Sequence, residues 1–562
     1  MKNKATFLIA VMLLGVASAF AQGGTTGPLT WELNTYTRTL TISGEGEMPD
    51  YDQHTNTYAP WYVDRNYITY VVIESGVKNI GNKAFYSCEK MTMVVIPGSV
   101  EKIGNKAFHF CSSLTTITIP DRVTSIGNQA FYGCQLLPSI NIPASVSSIG
   151  DQAFLCCYEM SSIDVDSENK NFASDYGILF NKSKTHLMYC PAGKTGLYIV
   201  PDHVTSIDEY AFFRCKKLTT IIIISDRASI GNFAFSYCSD LTTVILPNHI
   251  ASIGESAFSF CTSLTSINIP YNLARISNSL FFACESLTSM SIPNNVKNIG
   301  ECAFYGCSHL EDVTIPKSIT GFGNWSLACC YKFSTITNLN PVPVLISPCV
   351  FADDNLCAFI DHLGSVRLKV PTSAVQAYQI APVWNSFMVE GGGILVNPVT
   401  NNNEAGYTTG DGLYKTDTMA TVTATAYPGY QFVNWTKEGV EVSTDNIYSF
   451  TVTEDVELVA NFESDGTGIN PIEFADVKIY PNPTTGELRI SPAGGGLRGW
   501  NNGELRMENV EIFDVYGRKL SSNHLITSSS DHLINISQLP AGVYFIKITT
   551  ETGITTRKII KN

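Results

Sequence analysis

The stretch IGNKAFHFCSSLTTITIPDRVTSI, running from Ile103 to Ile126, decides the fold. Its Phe108 is one rung of a ladder: Phe85, Phe108, Phe131 and Phe154, then Phe212, Phe235, Phe258, Phe281 and Phe304, with Leu327 in the last place. Every step is 23 residues except that from Phe154 to Phe212, which is 58. A cysteine stands three residues after each rung: Cys88, Cys111, Cys134, Cys157, Cys215, Cys238, Cys261, Cys284, Cys307 and Cys330. Self-similarity at a short fixed period signals a solenoid, in which each unit buries its apolar side only by stacking on its neighbours. Within the unit, LTTITIP predicts a strand with Leu114, Ile117 and Ile119 inward at the spacing L-x-x-L-x-L. Pro120 ends it. Val123 to Ile126 is a second short extended piece, Gly127 lets the backbone bend, and Asn128 to Phe131 predicts a helical turn.

Outward from the ladder, residues 22–75 carry no repeat. Leu29 to Leu33 and Thr39 to Ile42 alternate like two strands joined by a turn, and the segment reads as a cap over the open end of the array. Residues 76–391 read as the solenoid with its own C-terminal cap. In the cap, Val366 to Pro371 predicts a last strand, Thr372 or Ser373 would cap a short helix through Tyr378, and Gly391 to Gly393 would end it. The 58-residue step contains Tyr176 to Phe180 and His186 to Tyr189, which read as a protruding hairpin. Residues 394–463, with alternating aromatics and glycine turns, predict a small β-rich module. Residues 469–562 carry six regularly spaced strand signals, the pattern of a β-sandwich. The fold class is therefore mostly β: a solenoid, a small β-rich module and a sandwich.

Composition narrows the function. The 562 residues carry a net charge of −14 with only 15% charged residues, which argues against nucleic-acid or anionic-membrane surfaces. Lys2 and Lys4 precede an apolar run from Ala5 to Ala17, and Ala19-Phe20-Ala21 is a small-x-small cleavage signal, so residues 1–21 read as a signal peptide. No cysteine precedes Cys88 for a lipid anchor, and no later apolar run reaches the ~20 residues of a membrane span. The sixteen cysteines of an exported chain suggest disulfides. Strands stack roughly 4.8 Å apart, close enough for rungs to bridge. Cysteine is equally a small buried filler, and the ladder reads as free thiols. Cys349 and Cys357, outside the ladder, are the best candidates for one disulfide.

The sequence offers no catalytic, cofactor or metal site. Gly193-Lys194-Thr195 lacks the upstream glycine of a phosphate loop. Asp164, Asp166 and Glu168 have the spacing of a calcium loop, but Asn169 replaces its glycine. His309 near Cys307 is a lone pair at a buried ladder position. What remains is surface. Residues flanking the first core isoleucine of each strand share one face: Thr116 and Thr118, Ser139 and Asn141, Ser162 and Asp164, Thr220 and Ile222, Thr243 and Ile245, Ser266 and Asn268, Ser289 and Ser291, Asp312 and Thr314, Thr335 and Thr337. Nearly all are small and uncharged, and such a face can hold an extended ligand by many weak hydrogen bonds. Threonine also simply suits exposed strands.

The repeat with its phenylalanine, cysteine and LTxIxIP resembles the BspA-like leucine-rich repeat family of bacterial surface proteins over roughly residues 27–390. GYQFVNW and YSFTVTEDVELVANF resemble the divergent InlB B-repeat, which implies a β-grasp-like spacer. The C-terminus is similar to the type A sorting domain of the type IX secretion system, carried by Tyr480-Pro481-Asn482-Pro483, by the segment around Gly517, by Leu539 to Tyr544 including Gly542, and by Lys558 to Lys561. These resemblances imply export by the type IX machinery, removal of the sorting domain and attachment at the cell surface. The BspA-like resemblance supports adhesion without naming the ligand, and the chain reads as an adhesin for host or neighbouring-cell surface or matrix proteins; the hydroxyl-rich face gives a surface glycan-binding protein as the alternative.

Overall fold

The structure is a computed structural model that describes residues 21–52, 57–352 and 361–465, and beyond these the strands between Val477 and Lys561. The signal-peptide residues 1–20 and Cys357 lie outside the described residues. The chain forms two compact units that divide between Glu463 and Ser464.

Most turns of the solenoid carry two short parallel strand segments. In the first column Ser139–Ile142 pairs with Ser162–Val165, and Leu218–Ile223 with Thr243–Ile245. In the second, Ser125 and Ile126 pair with Ser148 and Ile149. The stretch around Thr116, expected as a full strand, makes only an isolated bridge from Thr116 to Met93. Leu114 and Ile119 are buried, while Ile117 is half-buried.

The ladder phenylalanines stack ring on ring. Phe85–Phe108, Phe108–Phe131, Phe235–Phe258 and Phe281–Phe304 lie 5.2–5.4 Å apart between centroids. The ring of Trp61 continues the stack into the N-terminal cap, 5.9 Å from Phe85, with its indole N–H donating to the Ala84 carbonyl. The ladder cysteines from Cys88 to Cys307 are free and buried, and Cys330 is buried as well. Each regular rung donates its thiol to the carbonyl of the phenylalanine in the previous repeat, as Cys111 does to Phe85 at 3.1 Å and Cys261 to Phe235 at 3.2 Å. Cys349 is disulfide-bonded.

The segment expected as a helical turn is a run of tight turns tied to the next repeat. The N–H groups of Lys83, Phe85 and Ser87 donate to the carbonyls of Asn105, Ala107 and His109, each at 2.8 Å. A helix would have used those N–H groups internally. Lys83 and Ser87 adopt left-handed φ of 55°, as do their counterparts in most repeats. Left-handed backbone costs roughly 1–2 kcal/mol per residue for non-glycine. The inter-repeat hydrogen bonds offset that cost. Asparagines tie the same layer together: Asn82 Oδ1 accepts from Asn105 N–H, and Asn105 Oδ1 from Asn128 N–H. Glycine precedes most of these asparagines because the turns approach closely there: a Cβ on Gly127 would lie 2.6 Å from the Asn105 nitrogen.

The insertion is not a protruding hairpin. Phe172–Asp175, Ile178–Asn181 and His186–Tyr189 form an antiparallel ladder whose last strand pairs in parallel with Ser206 and Ile207 of the next turn. Ile178, Leu179, Phe180 and Leu187 are buried. Ile178, Phe180 and Leu187 pack into one apolar cluster and Phe172, Leu179 and Tyr189 into the other, so the insertion is built into the solenoid as an irregular turn. It divides the interior into two apolar clusters, one reaching back to Leu29 and one forward to Phe387.

The C-terminal cap also departs from expectation. The helix Val375–Ile380 has no side-chain cap, and the Ser373 hydroxyl donates instead to Asp455. Gly391 to Gly393 do not end the body. They lie within one strand, Met388–Thr400, which pairs with Arg367–Pro371 of the cap and then with Val456–Ser464 of the following module. The solenoid sheet thus runs on into the module. Trp435, Val422 and Leu458 centre the module's own core. In the C-terminal unit two four-stranded antiparallel sheets form, and each of the six strand signals falls in a strand.

Candidate functional site

The outward positions of the first strand column stand in register across paired strands. Ser139 faces Ser162, and Asn141 faces Asp164. Thr220 aligns with Thr243 and then Ser266. Ser289 aligns with Asp312 and Thr335, and Ser291 with Thr314 and Thr337. Thr116, Thr118, Ser139, Asn141, Ser266, Asn268, Ser289, Ser291 and Asp312 are exposed; Thr220, Thr243 and Thr314 are half-buried. Two positions depart from the expected open face. Ile222 is buried, because it sits between Ile199 and Ile245 on the paired strands and the three side chains cover one another. Thr335 is also buried.

The face is not one continuous sheet. Hydrogen-bonded pairing breaks between the strands at Ser162–Val165 and Gly196–Val200, and again between Ser266–Ile267 and Ser289–Ser291. At the end of the second run Asn268 stands in for strand pairing. Its carboxamide accepts from Leu246 N–H at 2.9 Å and donates to the Leu246 carbonyl at 2.8 Å. It is exposed, but its polar atoms are already engaged.

The other candidates resolve into structural roles. Asp164 accepts from the Ser162 hydroxyl and Asp166 from Glu168 N–H. Asn169 is fully buried and ties the loop, donating to the carbonyls of Pro143 and Val146 and accepting from Asn171 and Phe172. His309 contacts the Glu285 carbonyl while the Cys307 thiol donates to Phe281, so the two form no pair. Burial pushes the Cys88, Cys261 and Cys307 thiols up to about 12, far from nucleophilic use. Among the described residues no group of three or more His, Cys, Asp or Glu is placed to hold a metal ion, and no helix is long and apolar enough to cross a membrane.

Composition gave no sign of how the module after the solenoid is held. It lies against the solenoid rather than acting as a spacer. The Tyr407 ring stacks on Tyr271 at 4.3 Å and its hydroxyl accepts from Asn248. Lys317 pairs with Glu457 at 2.7 Å, and that ammonium holds the Glu457 carboxyl below its usual range. Asn294 donates to the Pro398 carbonyl at 3.2 Å. All four solenoid residues follow the proline that ends a strand, so the module meets one column of loops. Of the sorting-signal residues, Tyr480 ends the strand Val477–Tyr480, Gly542 pairs with Lys561 and Phe545 with Lys558. Pro481, Asn482, Pro483 and Gly517 lie outside the described residues.

A solenoid of 23-residue turns with parallel strands and stacked phenylalanines defines a leucine-rich repeat protein. The family described as BspA type leucine rich repeat region matches residues 61–185, 195–290 and 274–360, together more than half of the chain. The chain belongs to that family. The divergent InlB B-repeat domain matches residues 397–466, and the secretion system C-terminal sorting domain matches residues 478–562. A surface-type repeat body with a sorting tail is a secreted surface protein. Among solved structures, the chain is similar to a leucine-rich repeat protein from Eubacterium ventriosum, with 29% identity over 56% of this chain and 89% of that one and a TM-score of 0.49. It is similar to a leucine rich cell surface protein from Faecalibacterium prausnitzii, with 25% identity over 57% and 96% and a TM-score of 0.36. The pneumococcal vaccine antigen PcpA shares 20% identity over 66% and 98%, with a TM-score of 0.43. No curated protein matches the chain.

Proposed function

We propose that the protein is a non-catalytic adhesin or protein-binding scaffold of the cell surface. Its ligands would be surface or matrix proteins of a host or neighbouring cell, held on the outward strand face. The observation that carries this reading is the register of small, uncharged side chains, Thr220–Thr243–Ser266 above all, on a rigid parallel sheet. Such a face offers hydroxyl donors and acceptors at strand spacing with little side-chain entropy to lose on binding. The candidate positions carry no aromatic ring, which favours protein over glycan. The sorting tail would deliver this face to the outside and then be removed.

The test is binding of the mature chain to immobilised matrix proteins and to glycans, side by side. Glutamates at both Thr220 and Thr243 should abolish protein binding without loss of folding. Binding that survives them, or binding to glycans alone, refutes the reading.

A further inference from the structure

The irregular insertion leaves a notch in the turn column. From Ile126 to Ile140, second-column to first-column core position, the chain takes 14 residues, and the same count separates Ile207 from Ile221. In the insertion Leu187 aligns with Ile207 and Tyr198 with Ile221, so the corresponding connection takes only 11. The turn is cut short, and the layer it would have supplied is missing between residues 150–155 and 208–210.

The hydrogen bonds report the same gap. In the preceding repeat Gln129, Phe131 and Gly133 donate their N–H groups to Asp151, Ala153 and Leu155 of the next turn. Among the described residues, no backbone carbonyl accepts from the N–H groups of Gln152, Phe154 and Cys156. Across the gap, the carbonyl of Ala211 accepts from Cys190 N–H, and that of Glu209 accepts from no backbone N–H among the described residues. The Tyr189 hydroxyl reaches the Phe154 carbonyl where a ladder thiol would otherwise donate. The asparagine ladder stops here as well. Among the described residues Asp151 accepts no N–H from a following turn, although its own N–H is held by Asn128 Oδ1. Asp208 occupies the position that is glycine in most repeats, and Ser277 is the other departure. The Asp208 N–H donates to the Leu187 carbonyl, and its carboxylate accepts from the Ser206 hydroxyl at 2.8 Å and lies 3.5 Å from the His186 ring nitrogen.

The resulting cleft has a volume of about 280 Å³. Ile149, Leu155, Leu179 and Met188 give it an apolar floor. Asp151, Asp208 and Glu209 stand on its walls, and no lysine or arginine lines it. We propose that this notch takes an extended peptide segment of a partner protein bearing a lysine or arginine, which supplies the missing layer. Its carbonyls accept from Gln152 and Phe154, and its N–H donates to the Glu209 carbonyl, the mode by which an exposed edge recruits a strand. The aliphatic stem of the basic residue covers the apolar floor while its head reaches the carboxylates. This site is separate from the outward strand face and does not depend on it.

The experiment is selection of a displayed random hexapeptide library on the full chain, followed by titration of the recovered peptides. Enrichment in lysine or arginine is expected. Glu209→Gln combined with Asp151→Asn should weaken the recovered peptides about tenfold or more, as loss of desolvated charge partners does. Methylating the central backbone nitrogens of the peptide should weaken it similarly. The thermal midpoint of the variant should match that of the parent, which separates loss of the site from loss of the fold. Recovery of no saturable binder, of binders without basic residues, or of binders indifferent to both the double variant and backbone methylation overturns the proposal.

Discussion

Replacing Phe258 by alanine tests the interior directly. The ring is fully buried, 5.2 Å and 4° from Phe235 on one side and 6.1 Å and 13° from Phe281 on the other. Truncation of a buried phenylalanine costs ~3–5 kcal/mol in lost transfer energy and cavity. Two stacked aromatic pairs supply about 1–3 kcal/mol of that. The neighbours cannot close the gap, because backbone bonds from Phe235 N–H to Ala257 and from Phe258 N–H to Leu280 hold the spacing. The loss should therefore fall in the upper half of the range. Thr243→Ala, at a half-buried position on the strand face, should change stability by no more than about 0.5 kcal/mol. Urea unfolding of the mature chain gives both values. Hydrogen exchange locates the loss, because an array's stability is a sum over neighbouring repeats. Amides of the turns at Phe235, Phe258 and Phe281 should lose protection first. Equal losses from the two variants, or a loss below about 1 kcal/mol at Phe258, would mean that the inward face is misassigned.

The ladder thiols should resist alkylation in the native chain at pH 8 and label fully in denaturant, as read by mass; rapid native labelling of most of them, or bridges among them, contradicts their burial. Gly133→Ala should destabilise by ~1–3 kcal/mol, because φ is +74° and a Cβ there meets the Phe110 ring at 2.5 Å. Adding Phe110→Ser should recover much of that loss, since Ala283 at the equivalent turn position already carries a side chain at φ 55°. His109 lies between the Tyr86 and Tyr132 rings, and burial, reinforced by Lys106, pulls its pKa down to about 4. The unfolded chain takes up this proton near pH 6.5 and the folded chain only near 4, so its contribution is complete above 6.5 and is lost as pH falls through that window. His109→Phe should flatten the pH dependence of the thermal midpoint there. Deleting residues 476–562 should leave a folded product in the periplasm; repeats detected at the surface of such cells, or a surface form of the parent that retains Lys558 to Asn562, contradict the sorting role.

The 23-residue period determined the solenoid by itself, since a unit with phenylalanine, cysteine and two isoleucines at fixed offsets has nowhere to bury them except against its copies. It also placed the thiols inside and the small polar side chains outside. The helical reading of the turn failed at Lys83 and Ser87, because left-handed backbone is stabilised by carbonyls 22 residues away and leaves no local signal in sequence. The hairpin reading failed for a similar reason. His186 to Tyr189 has a hairpin's pattern, but only its partner strand at Ser206 and Ile207 shows that it belongs to the solenoid. Asn268 carries the outward pattern of its column, yet which backbone its carboxamide meets is a matter of where the neighbouring strand ends. The docking of the module through Tyr271 and Tyr407, and the notch beside Gln152, rest on contacts between segments far apart in the chain. Periodicity encodes what repeats and stacks. The sites where the stack is interrupted or covered are set by long-range packing, and only the tertiary structure contains it.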